Sequence, residues 1–524
     1  MNKYALISVS DKTNLLDLAK GLVSAGYDII STGGTAKILT ESGIKTTSVE
    51  DITEFPECMD GRLKTLHPRI SGALLGVRDN PEHAATMTEH KIPNIDILVV
   101  NLYPFKDAVS KPNHTLETAI ENIDIGGPTM IRAAAKNYKY LAVVTNPADY
   151  AELIEHAKNG TITDDYRYKL SAKAFAYTAA YDAYISNYLT NKNPENSENS
   201  DNSANIFPQT LTLTFDIKSD ENSMRYGENP HQKAAYYVAN SPNFAGVLGI
   251  ENAEILNGKA LSYNNIADTH AAAALASEFD SPVCVAVKHS TPCGVALGAD
   301  AFAAFSAAYE CDPQSIFGGI IAFNCEVDAN TAKKMHEIFL EVIIAPNFSA
   351  DALAILRKKK NLRLLKLPKF ANSPLEFKSA GAGLLIQQSD TSNIATEPFT
   401  IVAGAEVSEQ VKADLIFAMK VVKHVKSNAI VVAKDGKLLG QGGGEVSRIW
   451  AAEAALSRAG EKASGAVLAS DAMFPFPDVV DACAKAGITA IIQPGGSQND
   501  KASIQACDGY GISMAFTGVR HFRH

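Results

Sequence analysis

The chain has 524 residues, 46% hydrophobic and 20% charged, and a formal net charge of −10 at pH 7. It is too apolar to be disordered, long enough for two or three cores, and holds no run of about 18 apolar residues to span a membrane. A net negative surface repels nucleic acid, so a phosphorylated ligand must find a local cluster of donors.

Met1 to Ser10 runs straight into an alternating apolar segment with no signal-peptide pattern, and the default expectation is a soluble protein of the cytoplasm. Seven cysteines, odd in number and never spaced C-x-x-C, read as reduced thiols rather than a disulfide framework or a zinc site.

In chain order, YALISVS alternates as a strand, TNLLDLAKGLVSAG has helical spacing with a glycine stop, and YDIIST is a second strand. Ser31-Thr32-Gly33-Gly34-Thr35 follows as a turn before the helix AKILTESG, where backbone N–H groups can face an anion. A Gly-Gly pair is more commonly a plain turn, and the stretch matches neither G-x-G-x-x-G nor a P-loop. IDILVVNLYPF reads as a buried strand leaving the core at Asn101 to Pro104, and GGPTMIRAAAKN as a glycine turn and a helix, so a parallel α/β sheet is expected. From Asp164 to Thr190 the pattern is helical, its Tyr166, Tyr168, Phe175, Tyr177, Tyr181, Tyr184 and Tyr188 assigned to packing.

NKNPENSENSDNSAN cannot bury enough surface to order itself, which places a domain at 1–190, a polar linker at 191–206 and a second region at 207–524. Beyond it, Ala-rich helices alternate with the strands SPVCVAVKHS, SIFGGIIAF, SNAIVVA, SGAVLAS and ITAIIQ, again an α/β pattern, with no short-period repeat.

Arg62, Lys64, His67 and Arg69 lie within eight residues broken by a proline. Alone, such a cluster is more often a solvated loop. In an open α/β sheet the strand C-terminal ends converge on one crevice, and a crevice lined by Ser10, Lys12, the STGGT amides, Arg62 and Lys64 suits a nucleotide monophosphate, with Tyr103, Asp124 and Lys136 to handle protons. Lys288 and His289 end an apolar strand, a place for a general base with a charge beside it, although a lone His is usually structural. A zinc deaminase needs H-x-E and P-C-x-x-C; Pro292-Cys293 lacks the second cysteine and no H-x-E is present. The terminal RHFRH reads equally as a solvated tail.

Taken in order, SVSDKT, STGGTAK, GRLKTLHPRI, NLYPF, IDIGGPTMIRAAAKN, RYGENPHQ, VKHSTPCG, SDAMFPFPD and FTGVRHFRH resemble the bifunctional phosphoribosylaminoimidazolecarboxamide (AICAR) formyltransferase and IMP cyclohydrolase family of purine biosynthesis. The resemblance implies a methylglyoxal-synthase-like N-terminal domain and a C-terminal transformylase region of two cytidine-deaminase-like subdomains without zinc. It implies formyl transfer from 10-formyltetrahydrofolate to AICAR, then cyclodehydration to IMP, with folate as co-substrate and no tightly bound cofactor. A monovalent cation such as potassium is compatible with it, and a homodimer is expected.

The resemblance also implies site residues. Lys64, Tyr103, Asp124 and Lys136 would surround the cyclising group, with Ser10, Lys12, Ser31, Thr32, Gly33, Gly34, Thr35, Arg62, Thr65, Asn101 and Gly126 holding the nucleotide. Lys288 and His289 would carry formyl transfer, with Arg225, Tyr226, Phe317, Gly318, Glu341, Asn428, Phe516, Arg520 and Phe522 completing that site. Two departures bear on folate contacts: Thr291 within KHSTPCG where the family shows KHTNPCG, and Glu445 where it shows Gln. Two readings of Glu445 stay open: its charge is offset by Arg448, or it lies outside contact range. Two other classes compete for the N-terminal half: a phosphate-eliminating lyase, over which LKTLHP with NLYPF favours the cyclase, and a nucleotide-sensing domain of a larger synthetase, disfavoured because no synthetase domain or P-loop accompanies it here.

Overall fold

A computed structural model describes residues 3–59, 61–191, 207–218, 224, 226–244, 246–394 and 399–524. Most of the expected polar linker, residues 192–206, and Arg225 lie outside the described residues. The chain forms two compact units, one of Met1–Phe215 with Ala239–Asn243, the other of Asp216–Val238 with Phe244–His524.

The first unit is built on five strands, β1 (Lys3–Val9), β2 (Tyr27–Ser31), β3 (Thr46–Ser48), β4 (Ile95–Asn101) and β5 (Ala142–Val144), in the order β3-β2-β1-β4-β5. Every neighbouring pair is parallel. The run Ile97–Val100 in β4 is buried on both faces, which explains its unbroken apolar sequence. Strand order reverses at β1, so the crevice between the C-terminal ends of β1 and β4 is the topological switch point where ligands bind in open sheets. The helix Asp164–Asn191 packs along the edge strand β5, with buried Tyr166 and Leu170 in the core on one face and Ala174 in the core on the other, and with Tyr184 and Tyr188 packed edge-on against Phe105. Packing was the expectation for this aromatic series; Tyr168 and Phe175, however, are exposed.

The second unit carries a twelve-stranded sheet. Its strands are β6 (Glu254–Asn257), β7 (Val283–Lys288), β8 (Thr291–Leu297), β9 (Ile320–Phe323), β10 (Val342–Ala345), β11 (Arg363–Lys366), β12 (Thr400–Ala403), β13 (Ile430–Lys434), β14 (Lys437–Gly442), β15 (Val467–Ser470), β16 (Ala490–Gln493) and β17 (Ser513–Phe516). They run β12-β17-β16-β15-β13-β14-β8-β7-β9-β10-β11-β6.

This order is a duplication. Each half is a helix, an antiparallel hairpin, a second helix, three mutually parallel strands and an antiparallel edge strand. The halves meet where Ala296 of β8 pairs with Lys437 of β14. The helices Tyr263–Ala276 and Glu409–Val422 bury their apolar sides in one core that spans both halves, whereas the opposite face has a separate core for each half. A repeat this long has no short period, so composition alone did not expose it.

Candidate active sites

The switch point of the first unit is organised by Asn101, the last residue of β4. Its Oδ1 accepts the N–H groups of Ser10 and Asp11 at 2.6 and 2.7 Å, and its Nδ2 donates to the Asp11 carbonyl. Asn101 therefore pins the turn that carries Lys12. The Lys12 ammonium donates to Thr35 Oγ1 at 2.8 Å and to the Val9 carbonyl, and burial pushes its pKa down. Ser31 Oγ donates to the Ile7 carbonyl and Thr32 lies 3.3 Å from Ser8 Oγ, so both hydroxyls tie β2 to β1.

Gly33 and Gly34 open the helix Gly33–Glu41 instead of preceding it, and Thr32, its N-cap, makes no side-chain capping bond. The first-turn N–H groups are thus left for another acceptor. Gly33 has φ 45°, and a Cβ there would meet Lys64 Nζ at 2.6 Å. Two ammonium groups, Lys12 and Lys64, consequently border one helix N-terminus, an arrangement that attracts a phosphate. Lys64 also pairs with Glu57 at 2.7 Å.

Thr65 carries this loop to a second helix start: a Cβ on Gly126 would meet Thr65 Oγ1 at 2.8 Å. Just upstream, Asp124 accepts from Gly127 N–H at 2.8 Å and from Tyr103 N–H at 3.4 Å. Burial raises the Asp124 pKa, opposed by these two bonds. The backbone here is held from below by two tyrosines not assigned to the site from sequence: Tyr181 Oη accepts Asp124 N–H at 2.9 Å and Tyr177 Oη accepts Leu102 N–H at 3.0 Å. Their four-residue helical spacing was the available signal. Tyr103 itself is 54% exposed.

The basic cluster divides. Arg62 pairs with Glu121 at the surface. His67 caps the helix Pro68–Leu75 through Nδ1, and Arg69 donates to the Ile52 carbonyl and pairs with Glu54, so these two serve the fold. Lys136 is not brought to Asp124 within one chain. It ends the helix Gly126–Lys136, whose rise puts it about 15 Å from the Gly126 end. There it lines a surface cavity of about 610 Å³ with Arg132, Tyr138, Tyr168 and Phe175.

In the second unit Lys288 ends β7 and His289 and Ser290 form the two-residue turn into β8, with φ 54° and 56°. Lys288 Nζ donates to the Phe317 carbonyl at 3.0 Å, and Thr291 Oγ1 donates to the His289 carbonyl, so the Thr291 departure closes the turn. Phe317, Gly318 and Gly319 form an irregular turn before β9 rather than part of the expected strand; Gly318, at φ 72°, donates to the Phe339 carbonyl. Phe317 packs against Phe339 with ring centroids 5.4 Å apart and the rings tilted. Glu341 pairs at 2.7 Å with Arg363, which is buried.

Asn428, Phe516, Arg520 and Phe522 belong to the other half. Asn428 Nδ2 donates to the Glu445 carbonyl at 2.8 Å, and its Oδ1 accepts from Arg448 at 2.7 Å. Arg448 is buried and also pairs with Asp471, so its charge is committed there and does not offset the Glu445 carboxylate. Phe516 ends β17 against Gly495, and Arg520 lies 4.4 Å over the Phe522 ring. The C-terminal segment is docked rather than solvated: His521 bonds Asp390 at 2.7 Å and Arg523 N–H donates to Ser427 Oγ. Extending the β8–β14 register puts Asn428 on the same sheet edge as His289, three strand spacings or about 14 Å away. Tyr226 is half-buried.

A family model described as "AICARFT/IMPCHase bienzyme" matches residues 134–458, and one described as "MGS-like domain" matches residues 14–129. Proteins named "Bifunctional purine biosynthesis protein PurH" from Bacillus mycoides (strain KBAB4) and Bacillus cereus (strain ATCC 10987 / NRS 248) are each 54% identical over 527 residues, covering 100% of both chains. The protein of that name from Bacillus thuringiensis (strain Al Hakam) is 53% identical over the same extent. A solved structure titled "Crystal structure of ForH" is 31% identical over 35% of this chain and 97% of that chain, with a TM-score of 0.31. With a family match over more than half its length and full-length relatives, the chain belongs to the AICARFT/IMPCHase bienzymes, bifunctional formyltransferases and IMP cyclohydrolases of purine biosynthesis, with an MGS-like domain at its N-terminus.

Proposed function

We propose that residues 1–190 close the purine ring and residues 207–524 transfer the formyl group, each with its own site. The observation that carries this reading is the partition of side chains: Lys12, Lys64, Tyr103 and Asp124 gather in the first unit, Lys288 and His289 in the second.

In formyl transfer the exocyclic amine of AICAR attacks the formyl carbon of 10-formyltetrahydrofolate. His289 takes the proton that the amine sheds, Lys288 stabilises the oxyanion, and collapse of the adduct expels the folate N10, which regains a proton. In cyclisation the carboxamide nitrogen attacks the new formyl carbon and water leaves. The phosphate sits at the Gly33–Glu41 N-terminus between Lys12 and Lys64, and Asp124, Tyr103 and Lys64 move the protons, with orientation the main contribution.

The active form is a homodimer. Phe317, Trp450 and Phe476 are 57%, 53% and 59% exposed in a single chain, apolar surface that a second copy would cover. Lys136, out of reach of Asp124 in its own chain, would act on the partner's nucleotide. The test is to mix the protein with AICAR and 10-formyltetrahydrofolate and follow tetrahydrofolate and IMP. Both products support two working sites; tetrahydrofolate with formylated AICAR alone removes the cyclase assignment.

A further inference from the structure

The duplication in the second unit extends to single hydrogen bonds. The helix Tyr263–Ala276 recurs 146 positions later as Glu409–Val422, and each has an aspartate at its sixth position, Asp268 and Asp414. Asp268 accepts the N–H groups of His289 at 3.1 Å and Ser290 at 2.7 Å, and the Ser290 hydroxyl at 3.0 Å. Asp414 accepts the N–H groups of Asp435 at 3.0 Å and Gly436 at 2.8 Å, in the turn between β13 and β14. All four turn residues are left-handed, with φ 54°, 56°, 52° and 66°.

The surroundings match as well. Lys288 Nζ donates to the Phe317 carbonyl, and Lys434 Nζ to the Ser464 carbonyl. Gly318 and Gly465 both have φ 72° and donate to the carbonyls of Phe339 and Gly487. The two turns lie on opposite edges of the sheet, one at the Thr291 end of β8 and the other at its Leu297 end. One framework therefore occurs twice, with an imidazole in only one copy.

The imidazole copy also has the less favourable backbone. A two-residue turn with both positions left-handed prefers Asn or Asp followed by Gly, which is what Asp435 and Gly436 supply. His289 and Ser290 both carry a Cβ there, so the turn depends more on what holds its N–H groups. Asp268 is the group that holds them.

We propose that Asp268 is a positioning residue for formyl transfer, its two carboxylate oxygens fixing the left-handed turn that presents the His289 imidazole, while Asp414 performs only the scaffold part of that task. The proposal rests on His289 as the proton acceptor. In Asp268→Asn an N–H donor replaces one acceptor, so one turn N–H faces a donor and the imidazole loses its fixed direction.

The experiment compares Asp268→Asn, Asp414→Asn and His289→Ala in the full chain, measuring kcat and KM for AICAR in tetrahydrofolate release, cyclisation of formylated AICAR, and thermal unfolding. Asp268→Asn is expected to lower formyl-transfer kcat about 100-fold, with KM for AICAR and cyclisation within about twofold of the parent. Asp414→Asn is expected to lose thermal stability and keep kcat within about twofold. Unchanged kcat in Asp268→Asn, or an equal loss in Asp414→Asn, overturns the proposal while leaving His289 in its role. Retained formyl transfer in His289→Ala overturns that role and the proposal with it. Should Asp268→Asn fail to fold, Ser290→Gly is added to relieve the turn: kcat still lowered at least about 10-fold supports the proposal, and parent-like kcat overturns it.

Discussion

The Lys12 ammonium donates to Thr35 Oγ1 at 2.8 Å, in the first turn of the helix Gly33–Glu41, and among the described residues no carboxylate forms an ion pair with it. Burial lowers its pKa, and a bound phosphate would oppose that shift. Lys12→Gln should therefore raise KM for the formylated nucleotide about 10- to 100-fold, the value of a charge-assisted hydrogen bond, with a smaller effect on kcat. Titrating initial cyclisation rates against nucleotide concentration checks it.

Asp124 separates activity from stability. Its pKa is raised by burial, so cyclisation that uses the carboxylate is present above that pKa and lost as pH falls through it, at a higher pH than for an ordinary aspartate. For folding the sign is opposite to that of a salt-bridged aspartate: the folded state favours the protonated form, so ionisation at neutral pH costs stability. Asp124→Asn should abolish cyclisation while the unfolding midpoint stays level or rises; a clear drop in the midpoint would contradict this.

Tyr181 and Tyr177 hold the site's backbone from the long helix. Burial pushes the Tyr181 pKa up to about 12, so its hydroxyl stays neutral, accepting from Asp124 N–H and donating to the Asn122 carbonyl. Tyr181→Phe leaves the Asp124 N–H without that partner and should cost about 1 to 3 kcal/mol in denaturant unfolding, with slower cyclisation and unchanged formyl transfer.

Glu445 meets Asn428 through its backbone carbonyl, at 2.8 Å from Nδ2, a contact that any side chain at 445 can offer. Glu445→Gln should therefore leave formyl transfer within about twofold of the parent. Asn428→Ala removes one hydrogen bond each from the Glu445 carbonyl and the buried Arg448, and should lower it by at least about 10-fold in the same assay.

Strands and helices were legible wherever apolar periodicity is strong: Lys3–Val9, Tyr27–Ser31 and Ile95–Asn101 fall where their patterns place them, and the helix Gly126–Lys136 differs only in taking in the two glycines expected to form a turn before it. Contacts set by side-chain reach were not. Nothing in a basic cluster distinguishes Lys64 at a helix N-terminus from His67 as a helix cap, because both follow from the path of the loop between them. Lys136 was grouped with Asp124 by motif, but helix rise carries it away. Asp268 and Asp414 pass unnoticed in their helices until the two hairpins are laid over one another.

The most direct test of separate sites is the rate at which His289→Ala and Lys64→Ala each convert AICAR to formylated AICAR and formylated AICAR to IMP. His289→Ala should lose the first step and keep the second, and Lys64→Ala should do the reverse. Loss of both steps in either folded variant would contradict two independent sites.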